Sequence, residues 1–382
     1  MAMSEPRECY LDHAASTPMR PEATEAWLEA AAGHHANPTG AHRAARHARR
    51  ALDDARDVVA AVLDRSPAEL VFTSGGSEAD NLAVRGVLGA VGGVAYCSGG
   101  EHHAVLEPVE HAGGRTVGLQ SDGTVCPDRL GAELAAAGAA GDDVRLVSMI
   151  TVNNETGAIN DIAALAAVTR THAPQAVFHT DAVQALPWLD LASHVADADL
   201  VSITGHKFGG PVGTGALFVR QGTPLDPLVI GGGQERGRRA GTPDVAGAAA
   251  FAAAAAATDA GRDVEMARLN ALRDRLVDGL RARLGEAVEA TVLDRGGPVA
   301  AGIAHVMLHG VEAEALLFLL DAAGVRASAA SSCSSGAQDP SHVLAAMGVD
   351  RFVAQGSLRL SLGHTSTEAD VDRALELSLI HI

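Results

Sequence analysis

Through its first two thirds the chain alternates short β-rich runs with stretches of helical periodicity, and this alternation limits the fold more than any other feature. "LVFTSG" is a β-rich run that ends in glycine. "SEADNLAVRGVL" follows at helical spacing, with Ser77 and Glu78 as start signals. The strand-like runs "GVAYCSG" and "VRLVSMITV" are each followed by a helical stretch, "HHAVLEPVEHA" and "DIAALAAVTRTHA". "AVFHTDAVQA", "LVSITGHK" and "GALFVR" read as further strands. Strands separated by helices predict an α/β fold with a mostly parallel sheet covered on both faces.

After the Ala-rich "AGAAAFAAAAAATDAG" the pattern changes. A long amphipathic helix, "VEMARLNALRDRLVDGLRARL", leads into "IAHVMLHG" (strand), "EAEALLFLLDAAG" (helix), "HVLAAMG" (helix), "GSLRLSLG" (strand) and "TEADVDRALEL" (helix). This predicts a smaller α+β domain, with the boundary near Ala260. The expected division is a large domain over 16–259 and a small one built from 1–15 and 260–382. The last six residues, "LSLIHI", break the amphipathic pattern at 377–382 and are expected to be a sequencing scar on a truncated C-terminus.

Composition excludes several classes. The 382 residues carry a formal charge of −18, which opposes phosphate-backbone binding, so no direct nucleic-acid partner is expected. The basic "HRAARHARR" alternates with Ala at helical spacing and reads as a solvated helix face. No apolar run reaches spanning length, and no membrane association is expected. The four cysteines, Cys9, Cys97, Cys126 and Cys333, form no CxxC pair, so no metal site is expected and a reducing, cytoplasmic setting follows by default.

One of those thiols is out of place. Cys333 sits in "RASAASSCSSGAQDP" among Ser, Ala and Gly, with almost nothing nearby to pack against. A structural cysteine behaves as a small hydrophobe and keeps apolar company. The segment at about 326–340 reads instead as a mobile loop that carries a thiol.

Four further segments hold chemistry. In "ITGHKFGGPVGTG", Lys207 follows a strand and precedes a glycine-rich turn, beside Thr204 and His206. A desolvated lysine has a lowered pKa and forms Schiff bases or shuttles protons; a surface lysine is the plain alternative. Asp181 ends the buried-looking strand in "FHTDAVQA" and is either a helix N-cap or the partner of a cation such as a protonated pyridine nitrogen, with Gln184 three residues on. In "TSGGSEADN", the N–H groups of Gly76 and Ser77, the Ser77 hydroxyl and the helix dipole make a phosphate site. His102 and His103 point different ways on one helix, so only one ring faces a site, where it would stack on an aromatic cofactor; a pair of surface histidines is the alternative. A phosphate cradle, an acid for a pyridine, a stacking ring and a Schiff-base lysine together are the set that pyridoxal 5′-phosphate requires.

The segments "YLDHAASTP", "NPTGAHRAAR", "FTSGGSEADNLAVRG", "EHHAVLEPVE", "VNNETGAI", "HTDAVQALP", "SITGHKFGGPVGTGALFVR", "GGGQERGRRAGTPDVAG", "SSCSSGAQDPSHVLAAMG" and "GSLRLSLG" run in family order over nearly the whole chain. On these the chain resembles the cysteine desulfurases, pyridoxal-phosphate enzymes of the type I, aminotransferase-like fold. The resemblance implies that Lys207 holds the cofactor, Asp181 pairs with its ring nitrogen, Gln184 contacts its ring hydroxyl and His102 stacks on the ring and carries protons. It implies a phosphate site of Gly76, Ser77, Thr204 and His206, with Thr242 reaching the phosphate of the other subunit of a homodimer. Asn154 and Arg359 look like the pair for the substrate carboxylate, Asn154 also bordering the cofactor and Asn37 lying nearby. Cys333 is implied as the sulfur acceptor, taking sulfur from L-cysteine, leaving L-alanine, and passing it to a cluster scaffold or a tRNA thiolation enzyme. Ser77 stands where the family often has Thr, and His364 where many relatives have Arg or another polar residue. A selenocysteine lyase, another C–S lyase or a non-catalytic sulfur-assembly scaffold are the alternatives. Cys333 speaks against the lyases, and Lys207, Asp181 and Cys333 together speak against the scaffold.

Overall fold

The computed structural model describes residues 8–329 and 341–381; Cys333 lies outside the described residues. Strand β1 (Cys9–Tyr10) is followed by helices α1 (Pro21–Gly33) and α2 (Arg43–Val62). Then come β2 (Leu70–Thr73), α3 (Gly76–Val91), β3 (Val94–Ser98), α4 (His103–His111), β4 (Arg115–Val117) and α5 (Pro127–Ala140). The alternation continues through β5 (Val144–Ser148), α6 (Ile162–His172), β6 (Val177–Asp181), α7 (Leu191–His194), β7 (Leu200–Thr204) and β8 (Gly215–Val219).

These strands form one sheet in the order β2-β8-β7-β6-β5-β3-β4. Only β8 runs antiparallel to its neighbours, β2 and β7; the other pairings are parallel. Strands β6, β7 and β8 are buried at every residue, as a sheet covered on both faces requires. The parallel strands end on one edge of the sheet, where loops and helix starts leave a crevice, the usual ligand position in open α/β folds.

Helix α2 shows how the pattern works. Arg43, Arg46, Arg49 and Arg50 are exposed, while Ala45, Ala48, Leu52, Ala55 and Val59 are buried at helical spacing. The basic stretch is thus the solvated face of a helix that packs against α8 (Val245–Leu284).

Helix α8 departs from the sequence reading, which treats the Ala-rich stretch and the amphipathic stretch as separate and puts a boundary near Ala260. The structure has one helix of 40 residues. Its first half is buried at positions from Val245 to Thr258 and its second from Leu269 to Leu280, with none between. Alanine is the strongest helix former, and Gly261, between the two halves, costs only about 1 kcal/mol relative to it, too little to interrupt the helix. The same helix therefore runs straight through the position expected for a boundary.

Beyond it lie β9 (Val288–Ala290), β10 (Ile303–Leu308), α9 (Ala313–Ala322), β11 (Val325–Arg326), α10 (His342–Ala346), α11 (Arg351–Ala354), β12 (Ser357–Ser361) and α12 (Glu368–His381). Strands β12, β10 and β9 make an antiparallel sheet in that order. The start of the chain joins this part: β1 pairs in parallel with β11, and Asp12 bridges Ser361. Ser328 bridges Arg359, which ties the chain to β12 shortly before the described residues break off at 329. Among the described residues, no helix is long and apolar enough to cross a membrane, and no cluster of three or more His, Cys, Asp or Glu side chains is arranged to hold a metal ion.

Candidate active site

A cavity of about 200 Å³ lies at the carboxyl ends of the parallel strands. Each wall comes from a different strand–helix junction. Helix α3 gives Gly76 and Ser77, the turn after β3 gives His102, the turn after β6 gives Val183 and Gln184, and the turn after β7 gives His206 and Lys207. Asp181 and Thr204 end their strands, and Asn154 closes one side.

The α3 end is shaped by glycine. Gly75, at the N-cap, has φ +155°, a conformation that L side chains rarely adopt. A Cβ at Gly76 would meet Val183 Cγ2 at 2.8 Å, so the bare backbone keeps the cradle open. The first turn of α3 then presents unpaired N–H groups and its positive dipole end to the cavity. Glu78 steadies this turn. It accepts the Ser74 N–H at 2.8 Å and pairs with Arg239 at 2.9 Å. Thr204, fully buried, donates from Oγ1 to the Thr214 carbonyl at 2.9 Å. The His206 ring meets Ser16 Oγ at 3.4 Å, and burial first, then Lys207, lowers its pKa to about 4.

Lys207 is the only lysine in the sequence. A chain that otherwise uses arginine for its positive charge keeps one primary side-chain amine, and the fold brings it to this cavity. That singularity is the clearest compositional signal of the site, and motif reading passes over it. Lys207 Nζ donates to the carbonyls of Ala14 and Ala15 at 2.6 and 3.0 Å. Gln184 Nε2 donates to the same Ala14 carbonyl at 2.5 Å. The "DHAAST" segment thus places the amine through its backbone, which no side-chain pattern reveals.

Asp181 is 3 % exposed and accepts the Val183 N–H at 2.8 Å. Burial raises its pKa to about 6, against the pull of that N–H and of Lys207. A carboxyl so placed is ready to accept a cationic partner. His102 is the N-cap of α4, and its Nδ1 accepts the Ala104 N–H at 3.1 Å. Burial, with Lys207, His103 and His342 adding to it, lowers its pKa to about 4. The neutral ring therefore carries its proton on Nε2. His103 is turned away: its Nδ1 lies 3.5 Å from Glu107, and its ring lies 4.6 Å from that of His342.

Arg359 lies beside Asn154. It donates from one terminal nitrogen to the Asn154 carbonyl at 2.8 Å and from the other to Asp12 Oδ1 at 2.9 Å. Its Nε is buried without a hydrogen-bond partner among the described residues. The sequence reading has no place for Asp12, the carboxylate that neutralises this guanidinium.

Three candidates lie apart. Asn37 is exposed in the turn between α1 and α2 and spends its Oδ1 on the N–H and hydroxyl of Thr39. Thr242 is exposed and borders a different cavity of about 200 Å³, beside Arg239 and Asp244. His364 lies on the other side of Lys207, its Nδ1 3.4 Å from Thr17 Oγ1, in a small cavity that also reaches His13. Of the other thiols, Cys9 and Cys97 are buried, and burial pushes the Cys97 thiol far up, which keeps it an inert S–H.

The cavity suits pyridoxal 5′-phosphate on its own geometry. It offers an amine for the aldehyde, a buried acid with elevated proton affinity for the ring nitrogen, and a glycine-opened helix start for the phosphate.

Comparisons with known proteins point the same way. The aminotransferase class-V family model matches residues 9–374. An IscS-like cysteine desulfurase from Mycobacterium tuberculosis is 44% identical over 381 residues, covering 96% of this chain and 94% of the relative. A solved NifS-like protein superposes with a TM-score of 0.89 at 30% identity, covering 98% of each chain. A structure titled SspA in complex with cysteine superposes with a TM-score of 0.77 at 27% identity, covering 94% of this chain and 99% of that one. The strand order, the lysine-bearing cavity and a match along nearly the whole length lead to one conclusion: this chain belongs to the aminotransferase class-V family, among the pyridoxal-phosphate-dependent cysteine desulfurases.

Proposed function

We propose that this chain takes the sulfur from free L-cysteine, releases L-alanine and carries the sulfur on Cys333 to an acceptor protein. The observation that carries this reading is the cavity itself: the chain's one lysine and a buried acid line it together, and an arginine stands beside it. Bound pyridoxal 5′-phosphate supplies an aldehyde that takes up an amine and a ring that accepts the electron pair of a broken Cα–H bond.

The chain's own residues do the rest. Gly76, Ser77, Thr204 and His206 hold the phosphate. Asp181 would hold the ring nitrogen, Gln184 the ring hydroxyl and His102 the ring face. Lys207 would hold the cofactor aldehyde, and its Nζ would take the proton from the substrate Cα. The Ala14 and Ala15 carbonyls aim that nitrogen. Arg359 and Asn154 take the substrate carboxylate, which competes with Asp12 for the guanidinium. The Cys333 thiolate then attacks the substrate sulfur. An S–S bond forms, the C–S bond breaks, and its electron pair stays on the substrate carbon, which is protonated to alanine. His102, with its proton on Nε2, is placed to move protons among the sulfur groups.

A homodimer, with Thr242 reaching the partner's phosphate, completes the reading, as does a cytoplasmic setting. The acceptor is a cluster scaffold or a tRNA thiolation enzyme, and the neighbouring genes separate the two.

The test is the stoichiometry of alanine and sulfide formed from L-cysteine in the presence of a thiol reductant. Native protein yields equal amounts. Cys333→Ser loses sulfide release and keeps the absorbance of the bound cofactor. Sulfide release that survives this change would replace the persulfide route with a simple C–S lyase.

A further inference from the structure

Two buried carboxyl groups close enough to feel the charge of Asp181, Asp80 and Glu101, are not used by the chemistry above. Asp80, on α3, lines the cavity and is 1 % exposed; its Oδ1 has no hydrogen-bond partner among the described residues. Glu101, in the turn after β3, is fully buried. Its Oε1 accepts the Ile150 N–H at 2.6 Å, and its Oε2 has no hydrogen-bond partner among the described residues.

Among the described residues, Ser202 hydrogen-bonds Asp80, Ser98 hydrogen-bonds Glu101, and from α10 His342 Nε2 lies 2.9 Å from the Glu101 carbonyl, its pKa lowered first by burial. From β6, His179 shares a strand face with Asp181, two residues on. Its ring is tied on both sides, Nδ1 to Ser148 Oγ at 2.8 Å and Nε2 to Ser202 Oγ at 3.0 Å, and Nε2 lies 3.7 Å from Asp80 Oδ1. Burial lowers its pKa to about 3, so it is neutral and gives Asp80 no counter-charge. From β3, the Cys97 thiol is neutral too. From α4, His102 is neutral. Lys207 is the cation on this side, and it favours the charge of Asp181.

Three carboxyl groups thus share one buried place with one cation. Each further buried charge costs several kcal/mol. Burial, and after it the charge of Asp181, pushes Asp80 and Glu101 well above the usual carboxylate range. Each of the three has a hydrogen bond that favours its charge, Asp181 from the Val183 N–H, Glu101 from the Ile150 N–H and Asp80 from Ser202, but Asp181 also has the lysine. We propose that Asp80 is a positioning residue for Asp181: it stays a neutral carboxylic acid lining the cavity, so that the single negative charge of the cluster falls on Asp181, opposite the cofactor ring nitrogen. The idea rests on the role given to Asp181 in the proposed function.

The test compares Asp80→Asn, which keeps a neutral polar group of the same shape, with Asp80→Ala. In the infrared spectrum of the apoprotein near neutral pH, native protein shows the carbonyl stretch of buried protonated carboxyls. Part of that band is lost in Asp80→Asn and a second part in Glu101→Gln. In titrations with pyridoxal 5′-phosphate, Asp80→Asn binds within about threefold of native and keeps the native pH profile of cofactor absorbance, whereas Asp80→Ala binds about tenfold more weakly. A band unchanged in Asp80→Asn overturns the proposal, and so does an Asn variant that behaves like Ala. If neither variant folds, native protein at about pH 8.5, above the titration of Glu155, still decides: a protonated-carboxyl band that persists there supports the neutral cluster, and its absence means that the cluster is ionised. If native protein takes up no cofactor, the proposed function falls, while the infrared result still reports on Asp80.

Discussion

At the scale of single residues, the site works by controlling where charge is allowed. Glu155, next to Asn154, shows the cost. It is 5 % exposed, hydrogen-bonds the Ser341 hydroxyl, and burial pushes its pKa up to about 7. The folded state thus binds this proton more tightly than the unfolded chain does. The resulting stabilisation is complete below about pH 4.5 and is lost as pH rises through about 7. Glu155→Gln keeps the protonated shape at every pH. Its stability relative to native should therefore climb between those two pH values, by on the order of 3 kcal/mol. Urea midpoints at pH 5 and pH 8 measure this, and a pH-independent difference would refute it. Arg359 is a second case, because two terminal nitrogens are already placed on Asp12 and Asn154. Lysine cannot reproduce that fork. Arg359→Lys should raise KM for L-cysteine by about tenfold or more while kcat changes less; steady-state kinetics would show the reverse split if the guanidinium acted in the chemical step.

Among elements, α8 teaches most. Its alanine-rich half sets Phe251 against Phe72 of β2, and the helix also packs against α12, β9 and β10, yet the backbone does not break between its two halves. A Cβ at Gly261 would meet nothing within 4 Å. Gly261→Ala should therefore stabilise the protein by about 0.5–1 kcal/mol, read as a higher urea midpoint with an unchanged slope; a lower midpoint would mean that the glycine is needed for a bend. The strands and helices of the large sheet were legible because their periods differ and glycines mark their ends, as at "LVFTSGG". The continuity of α8 was not, because a change of hydrophobic pattern reflects a change of packing partner and leaves the hydrogen-bond ladder intact. The same limit applied within the site. Lys207, Asp181, Gly76 and His102 stood in local motifs and meet in one cavity. Asp12, Asp80 and the Ala14 and Ala15 carbonyls act through contacts as much as 347 residues apart in sequence, and local spacing carries no trace of those.

For the molecule as a whole, the sheet gathers the ends of its strands, and the start of the chain links that edge to β11 and β12. Residues 8–15 bind β11 and β12 on one side and the lysine and Gln184 on the other. The proposed function turns on one amine, and composition makes that proposal unusually easy to examine, since Lys207 is the only lysine in the sequence. Borohydride reduction of the protein loaded with pyridoxal 5′-phosphate, followed by peptide mass spectrometry, is the direct measurement. The account predicts one pyridoxyl adduct, on the peptide that contains Lys207, and none in Lys207→Ala. An unmodified Lys207 peptide in native protein, or an adduct that persists in the variant, would contradict it.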